Sequence, residues 1–371
     1  MILSSRTLVH YLVDRGLVPA QAVVDGDYTA REMSRRNRNF SVTAGAGPGL
    51  FVKQPGDWEA FSSETLRREA TCYLLARDDP DFRALAEMMP PFVDWDAAHH
   101  VLTLQLLPAS ESLAEHHGRT GRFPPRVARR LGELLGSYHR HAGSRARDGA
   151  RDAVFPRGLP WILNVRHHNP SHVGPVSAGN RALVEMLGRY PAFGPALDAV
   201  RDGWRRDALV HGDLKWENCL ILQGDEEAPP ELRIIDWELA DFGDACWDVG
   251  SVFQAYLSSW ILSIRDAGTA HPDSMAALAT VPIEHMQPGI NAFWRSYVST
   301  LGLGSRAADE RLRRSMLFAA ARLIQTAWEH TAYLPHVPPN VLLMMQVAMN
   351  ILTRADDAVR HLLGFQERVA A

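Results

Sequence analysis

The chain has 371 residues, 46% of them hydrophobic and 22% charged, which is ordinary for a globular protein and long enough for two structural lobes. Its formal net charge of −4 gives no polybasic signature, which argues against nucleic acid as a partner. The three cysteines have no metal-ligand spacing, the N-terminus has no signal-peptide pattern, and no apolar run is long enough to cross a bilayer. We therefore expect a cytoplasmic protein without a membrane partner.

Strand and helix signals alternate near the N-terminus. NFSVTA (39–44) and LFVKQ (50–54) have strand composition, and the turn cluster GAGPG (45–49) between them predicts a β-hairpin. Residues 62–79 follow with apolar positions at helical spacing, and residues 99–108 again have strand composition. These elements predict a small lobe with an antiparallel sheet.

Helical patterns dominate beyond Pro108. The segment PPRVARRLGELLGSYHRHAG (124–143) begins with prolines and places its apolar residues on one face, and several helices are predicted from Cys246 onwards. The predicted fold class is α+β, with a small N-terminal lobe over residues 1–107 and a larger, mainly helical lobe over residues 108–371.

Two short polar turns have the residues that phosphoryl transfer needs. LVHGDLKWEN (209–218) lies between apolar runs, and in IIDWE (234–238) a short strand, Leu232–Ile235, ends by presenting Asp236. Phosphoryl transfer requires oxygen ligands for Mg²⁺, a cation on the phosphates and an aspartate that orients the attacking hydroxyl. Asp213 suits the last role, and Asn218 and Asp236 supply the hard oxygen ligands that Mg²⁺ prefers. We expect the two turns to converge around one divalent ion.

HGDLKWEN followed by IIDWE resembles the catalytic loop and metal-binding strand of the aminoglycoside phosphotransferase/choline kinase superfamily. The resemblance covers most of residues 20–260. It implies a bilobal, protein-kinase-like fold and an enzyme that transfers the γ-phosphoryl group of ATP with Mg²⁺. Asp213 would be the catalytic base, and Asn218 and Asp236 would hold the metal. Lys215 matches a lysine that protein Ser/Thr kinases place beside the phosphoryl group in transit.

The N-terminal part matches further positions of the superfamily. Lys53, on the second hairpin strand, matches the lysine that holds the α and β phosphates, and Glu69 matches the glutamate that pairs with it. Gln105 and Leu107 lie where the hinge of the family meets adenine with backbone groups. These four residues are therefore predicted to bind the nucleotide.

An aspartate after the second turn matches a structural position of the family. Asp248 corresponds to an aspartate that braces the catalytic loop from an adjoining helix. A helix N-cap role for Asp248 or for Asp244 is the alternative. His211 is expected to hold the loop backbone, because proton chemistry falls to Asp213.

The phosphate-covering loop departs from the family pattern. Glycines normally let backbone N–H groups approach the phosphates there, but this sequence has MSRRNRNF (33–40) with no glycine. Asn37 matches an asparagine common in that loop, and the guanidinium forks of Arg35 and Arg36 suit phosphate oxygens. The sequence predicts an altered phosphate clamp, with a surface arginine cluster as the alternative.

The charge pattern of the chain limits the classes of molecule that can be the phosphoryl acceptor. Polycationic acceptors need acidic pockets, whereas the C-terminal helical region balances its acids with arginines and residues 161–172 are cationic or neutral. An aminoglycoside or a choline-like cation is therefore disfavoured.

Residues 35–55 together with HGDLKWEN also resemble the kinases of class V lanthipeptide and thioamitide biosynthesis. Those enzymes phosphorylate Ser/Thr of a ribosomally made precursor peptide, and a separate lyase then eliminates the phosphate.

The favoured acceptor is accordingly a Ser/Thr hydroxyl of such a peptide, with a lyase as a possible partner. A small-molecule O-kinase acting on a sugar or antibiotic is the alternative, and a non-catalytic nucleotide-binding scaffold is a third hypothesis. The third is disfavoured because every position expected for the metal, the base and the phosphate cation is present, namely Lys53, Glu69, Asp213, Asn218 and Asp236.

Overall fold

The computed structural model describes most of the chain, which divides into two compact units. The described ranges are 1–33, 37–56, 60–107, 109–142, 154–165, 167, 176–222, 228–265 and 272–365. Unit 1 comprises Met1–Leu113, Asp152–Phe155 and Asn218–Ala240. Unit 2 comprises Ala114–Arg151, Pro156–Glu217 and Asp241–Ala371. The predicted lobes over 1–107 and 108–371 stay a prediction.

Unit 1 is built on a five-stranded antiparallel sheet. Its strands, in spatial order, are β1 (Tyr28–Glu32), β2 (Arg38–Ala44), β3 (Leu50–Gln54), β5 (Val101–Gln105) and β4 (Phe92–Asp96). The predicted hairpin is confirmed, since β2 pairs with β3 and Phe40 lies opposite Val52. The strand predicted over 99–108 is shorter, because pairing with its neighbours is limited to Val101–Gln105.

The N-terminal helices supply apolar side chains to the core of unit 1. These helices are α1 (Leu8–Asp14) and α2 (Ala20–Val24). Leu8 and Leu12, one helical turn apart, are fully buried in one cluster with Phe40, Val42 and Val52 of the sheet. Each such side chain contributes about 1.5–3 kcal/mol by leaving water. Alternate residues of β2 are buried because successive strand residues point to opposite faces.

A longer helix and a small second sheet complete unit 1. Helix α3 (Ala60–Asp78) confirms the helix predicted over 62–79, and the short helix α4 (Arg83–Ala86) follows it. The second sheet has the strand order β6 (Ser110–Ser112), β8 (Cys219–Leu222) and β9 (Leu232–Ile234). The Ile234 amide donates to the Met88 carbonyl at 2.5 Å, so β9 is also bonded to the segment after α4.

Unit 2 is mainly helical, as predicted. Its helices in the described residues include α5 (Leu113–Thr120), α6 (Pro125–Ala142), α7 (Ala178–Gly188), α8 (Phe193–Asp202), α9 (Ala245–Leu262), α10 (Ile283–Leu301), α11 (Ser305–Thr331), α12 (Pro339–Thr353) and α13 (Ala355–His361). Strands β7 (Ala208–Val210) and β10 (Asp241–Gly243) pair antiparallel. Helix α6 confirms the helix predicted over 124–143. The α+β fold class is therefore confirmed.

Close backbone contact joins α9 to α11. A Cβ atom added at Gly250 of α9 would lie 2.6 Å from the Ser315 carbonyl oxygen and 2.9 Å from Cβ of Phe318. Both neighbours belong to α11, so glycine is the residue that lets the two helices approach this closely. None of the described helices has both the length and the apolar character that crossing a bilayer requires.

Candidate active site

Unit 1 buries a lysine between two carboxylates. Lys53 is 4% exposed, and its Nζ lies 2.7 Å from Oε2 of Glu69 and 2.6 Å from Oδ1 of Asp236. Glu69 belongs to the buried stripe of α3, where Leu66, Ala70 and Tyr73 are also buried at helical spacing. The pairing of Lys53 with Glu69 expected from the family resemblance is therefore present.

The charges of this cluster shift its pKa values. Burial disfavours the Lys53 ammonium, but the Glu69 and Asp236 carboxylates outweigh burial and hold the pKa of Lys53 above its usual range. Burial raises the pKa of the Glu69 carboxyl to about 7, because desolvation and the Asp236 charge together outweigh the attraction of Lys53. Lys53 is thus a permanently charged cation at neutral pH.

Asp236 occupies a sharp turn directly after β9. Its φ of 64° lies in the left-handed region, which aspartate tolerates better than most residues. The following Trp237 is fully buried, and its Nε1 donates to the Ile234 carbonyl at 2.9 Å, which anchors the turn. The Asp236 side chain is 45% exposed, so its carboxylate reaches both Lys53 and solvent.

Asn218 lies beside this turn within unit 1. The Ile235 amide donates to the Asn218 carbonyl at 3.0 Å, and the next pair in the ladder is Cys219 opposite Ile234. Asn218 is 5% exposed. Among the described residues, no group of three or more His, Cys, Asp or Glu side chains is arranged to hold a metal. The structure thus brings Lys53, Glu69 and Asp236 into direct contact and places Asn218 next to the turn that bears Asp236.

The other predicted nucleotide-binding residues are placed as follows. Arg35 and Arg36 lie outside the described residues. Asn37 is 8% exposed, and its Oδ1 has no hydrogen-bond partner among the described residues. The Gln105 amide donates to the Pro91 carbonyl at 2.9 Å, and the Leu107 carbonyl accepts from the Ser110 hydroxyl at 3.1 Å. The predicted nucleotide roles of these residues stay predictions.

Asp248 braces the histidine-glycine-aspartate turn of unit 2. Its Oδ2 accepts from the His211 amide at 2.7 Å and its Oδ1 accepts from the Gly212 amide at 3.1 Å. The indole Nε1 of Trp247 donates to the Gly212 carbonyl at 2.8 Å. Gly212 has a φ of 82°, a conformation that favours glycine. The expected brace is confirmed, and the N-cap role belongs to Asp244, whose side chain accepts from the Cys246 amide at 3.0 Å.

The Asp213 carboxylate lies between two cations. Its Oδ1 accepts from Nη2 of Arg322 at 3.0 Å, and its Oδ2 lies 2.9 Å from Nζ of Lys215. The Asp213 amide donates to Nδ1 of His211 at 3.2 Å, which supports the structural role expected of that histidine. Asp213 is 17% exposed and Lys215 39%, whereas Arg322 is 3% exposed, measured over their side chains.

The two cations determine the protonation of Asp213. Burial acts to raise the pKa of the Asp213 carboxyl, but Arg322 and Lys215 outweigh burial and hold this pKa below its usual value. Burial conversely acts to lower the pKa of Lys215, and the Asp213 carboxylate reverses that effect. At neutral pH the group is therefore a carboxylate anion with two cationic partners.

Aromatic packing fixes the loop next to Lys215. The Trp216 ring lies 4.6 Å from the His117 ring and 5.0 Å from the Tyr256 ring, both in edge-on geometry, and 5.6 Å from Phe123. Such contacts stabilise by about 0.5–1.5 kcal/mol each beyond the burial of area. The loop backbone is thereby held on both sides of Asp213, by Asp248 before it and by Trp216 after it.

Sequence reasoning missed Arg322. It lies on α11 among buried apolar neighbours, including Ala321, Leu323 and Ile324. The sequence feature that could have identified it is a single arginine inside an apolar helical run, because an arginine is almost never fully buried unless it has a partner. That signal points to a buried partner without saying which residue it is.

Solved structures of known proteins are similar to this chain. Three of the solved structures that are similar to it are a choline/ethanolamine kinase family protein from Mesorhizobium loti, a choline kinase from Streptococcus pneumoniae and a glucosamine kinase. The first is 17% identical, covers 96% of this chain and 98% of that chain, and has a TM-score of 0.49. The second is 13% identical, covers 90% and 99%, and has a TM-score of 0.46. The third is 15% identical, covers 88% and 93%, and has a TM-score of 0.46.

The sequence matches a family model over most of its length. A search of curated protein sequences gave no match. The model of the phosphotransferase enzyme family, known as APH, matches residues 27–278, which is more than half of the chain. This chain therefore belongs to the phosphotransferase enzyme family and is a kinase.

Proposed function

We propose that this kinase uses ATP and Mg²⁺ and transfers the γ-phosphoryl group to an acceptor hydroxyl. The observation that carries the proposal is the burial of Lys53 between Glu69 and Asp236. Glu69 is enclosed whereas Asp236 is partly exposed, so Asp236 is the partner of Lys53 that can exchange its contact for another. Asp236 would then bind a metal, while Lys53 keeps Glu69 and donates to phosphate oxygens.

The residues of unit 1 fit a nucleotide with its metal. Asn218 and Asp236 supply an amide and a carboxylate oxygen, which suits Mg²⁺ because this ion uses few protein ligands and completes its shell with water and phosphate. When bound, Mg²⁺ would neutralise charge on the phosphates. In this proposal Gln105 and Leu107 contact adenine, and Arg35, Arg36 and Asn37 form the altered phosphate clamp.

Asp213 acts on the acceptor in this proposal. Because its pKa is held low, the carboxylate is a weak proton acceptor before the reaction, and its first task is to bind and orient the hydroxyl. Lys215, on the other oxygen of the same carboxylate, would stabilise negative charge on the transferred group. Together they hold the nucleophile in line for attack.

A thermal-shift experiment tests nucleotide binding. MgATP should raise the melting temperature of the wild type, and ATP with EDTA should raise it less. Lys53→Met and Asp236→Asn should lose the MgATP-dependent part of the shift. Arg77→Gln is a matched control, because Arg77 also lies in unit 1 but pairs with Asp78 in solvent. An equal shift in Lys53→Met and wild type would contradict the assignment of unit 1 as the nucleotide site.

For the acceptor, we propose a Ser/Thr hydroxyl of a ribosomally made precursor peptide, phosphorylated before elimination by a separate lyase. Two observations support this acceptor over a polycation. Lys215 and Arg322 both contact Asp213, so an ammonium group beside the reacting hydroxyl would meet two like charges. The Asp-Leu-Lys order of the loop, with the lysine on the aspartate, also matches the protein Ser/Thr kinase pattern.

Mass spectrometry separates the acceptor hypotheses. Wild-type protein with MgATP would be incubated with Ser/Thr-rich precursor peptides encoded near its gene, and in parallel with sugars, aminoglycosides and choline. A gain of one phosphate on a peptide, absent with Asp213→Asn, supports the proposal. Phosphorylation of a sugar or antibiotic alone would assign a small-molecule O-kinase, and ATP binding without any turnover would assign the scaffold.

A further inference from the structure

Arg322 is a buried cation that reaches Asp213 from another element of unit 2. It lies on α11, and its Nη2 donates to Oδ1 of Asp213 at 3.0 Å. Its guanidinium carbon lies 5.6 Å from the ring centroid of Trp247. Trp247 also donates to the Gly212 carbonyl, so one indole supports the loop backbone and contacts the arginine.

The burial of Arg322 costs free energy, so a contribution to the stability of the fold does not by itself explain why an arginine lies here. Its Nε and Nη1 atoms are buried and have no hydrogen-bond partner among the described residues. Each buried donor without a partner costs about 1–3 kcal/mol. Replacing a buried ion pair with apolar residues is often neutral or stabilising, so ion-pair burial alone does not account for an arginine here.

The geometry of the contact fixes both oxygens of Asp213. Lys215 is the more exposed partner and has a flexible side chain, whereas Arg322 is enclosed and presents a rigid planar group. A carboxylate held by an enclosed partner on one oxygen keeps its plane and rotamer. The other oxygen, next to Lys215, then has a defined direction toward an acceptor hydroxyl.

We propose that Arg322 is a positioning residue for phosphoryl transfer, holding the Asp213 carboxylate ionised and oriented through its bond to Oδ1. This inference rests on the proposed function, in which Asp213 orients the acceptor hydroxyl. Arg322 contacts neither nucleotide nor acceptor in this role and acts through Asp213 alone.

The charged or titratable groups facing Asp213 come from two elements. Arg322 comes from α11, and Lys215 and His211 come from the loop that bears Asp213. Glu329, also on α11, acts with Asp213 to raise the pKa of Lys215 and so keeps that lysine charged. Loss of Arg322 would leave burial opposed mainly by Lys215, so the Asp213 carboxyl should then protonate at higher pH.

Carbon-13 NMR of the aspartate carboxyl groups tests this directly and needs no acceptor. Wild type, Arg322→Gln, Arg322→Lys and Arg306→Gln would be labelled with aspartate carrying carbon-13 at Cγ, and Asp213→Asn would assign the signal. The wild-type signal should titrate below the usual range of an aspartate carboxyl, because Arg322 and Lys215 hold its pKa low. In Arg322→Gln its midpoint should rise by about 1 to 3 units. Arg306 is an exposed arginine of the same helix, and Arg306→Gln should behave as wild type.

Arg322→Lys separates charge from geometry. It keeps a cation, so the Asp213 midpoint should stay near the wild-type value, and where Arg322→Gln does not fold, the kcat of Arg322→Lys carries the test. Where an acceptor is phosphorylated, kcat should fall at least tenfold in Arg322→Lys while KM for ATP is unchanged, because the rigid fork is lost.

Two results would overturn the inference. The first is an Asp213 signal that titrates identically in wild type and Arg322→Gln. The second is full turnover by Arg322→Gln on an acceptor that requires Asp213. A failure of the proposed function is recognised separately, as the absence of a MgATP-dependent rise in the melting temperature of the wild type, and it leaves the NMR result unaffected.

Discussion

At the scale of residues, two charged side chains each lie between two partners of the opposite charge. Lys53 is a buried cation between two carboxylates, and Asp213 is a largely buried anion between two cations. In each case one partner is enclosed, Glu69 or Arg322, and the other partner is partly exposed. The enclosed partner fixes the side chain, and the exposed partner can respond to a ligand.

Removal of the carboxylate of Asp213 gives the first prediction. Loss of a general base typically lowers the rate by a factor of about 10² to 10⁴, so Asp213→Ala should lower kcat by that order. KM for ATP should change little, because the proposed nucleotide contacts lie in unit 1. Steady-state kinetics of ADP release with the identified acceptor measure both constants. Near-normal kcat in Asp213→Ala would remove Asp213 from the reaction.

Stability should depend on pH through Glu69. The pKa of its carboxyl is raised to about 7 in the folded chain from an ordinary value of 4.5. A raised pKa gives stability that is fully present below the ordinary pKa and is lost as the pH rises through the folded value. The unfolding free energy of wild type minus that of Glu69→Gln should therefore fall as the pH rises from 4.5 to 8. Guanidinium titrations of both proteins across this range check it, and a constant difference would refute it.

Much of the candidate site can be predicted from local sequence, because its residues follow one another in a fixed order. Lys53, Glu69 and Asp248 were predicted in this way, and their contacts are present in the structure. Arg322 could not be predicted, since it contacts Asp213 across 109 positions of sequence and no spacing rule connects them.

At the scale of elements, the close approach of α9 and α11 gives the third prediction. A methyl group at Gly250 would meet the Ser315 carbonyl and Cβ of Phe318, which are backbone or near-backbone atoms that cannot move aside cheaply. Gly250→Ala should lower the unfolding free energy by about 1–3 kcal/mol through overpacking. Gly188→Ala on α7 is the control, because a Cβ there meets open space. Chemical denaturation compares them, and equal stability of the two variants would show that the helices can separate without cost.

Elements with apolar periodicity are the ones that sequence reasoning found. Helix α6 places Leu131, Leu134 and Tyr138 on one buried face, and its bounds were predicted to within two residues. Strands β1 and β4 were not predicted, because they form the two edges of the sheet and are mostly exposed or half-buried. An edge strand lacks the alternation of buried and exposed residues on which strand prediction depends.

At the scale of the whole molecule, unit 1 is assembled from three separate stretches of chain. Its second sheet pairs β6 with β8, and α3 packs against the turn Trp237–Leu239. A fragment that ends at residue 107 lacks the strands β6, β8 and β9 and the turn Trp237–Leu239, and it also lacks Asp236. The predicted lobe over 1–107 therefore omits part of the packing that surrounds Lys53.

This organisation gives the fourth prediction. The fragment of residues 1–107 should not unfold cooperatively and should show no stabilisation by MgATP, whereas the full chain should show both. Circular dichroism melts with and without MgATP measure this for the two proteins. Cooperative melting of the fragment with a MgATP-dependent shift would establish residues 1–107 as an autonomous nucleotide-binding domain.

Lysine is almost absent from this chain, where arginine supplies nearly all basic side chains, and Lys53 and Lys215 are its two lysines. The side chain of Lys53 is 5% exposed and that of Lys215 is 39% exposed. An amine-reactive reagent consequently finds one accessible ε-amino group in addition to the N-terminal amine. Acylation of Lys215 removes its charge and so breaks its ion pair with Asp213, and it places a label beside that carboxylate without any engineered cysteine.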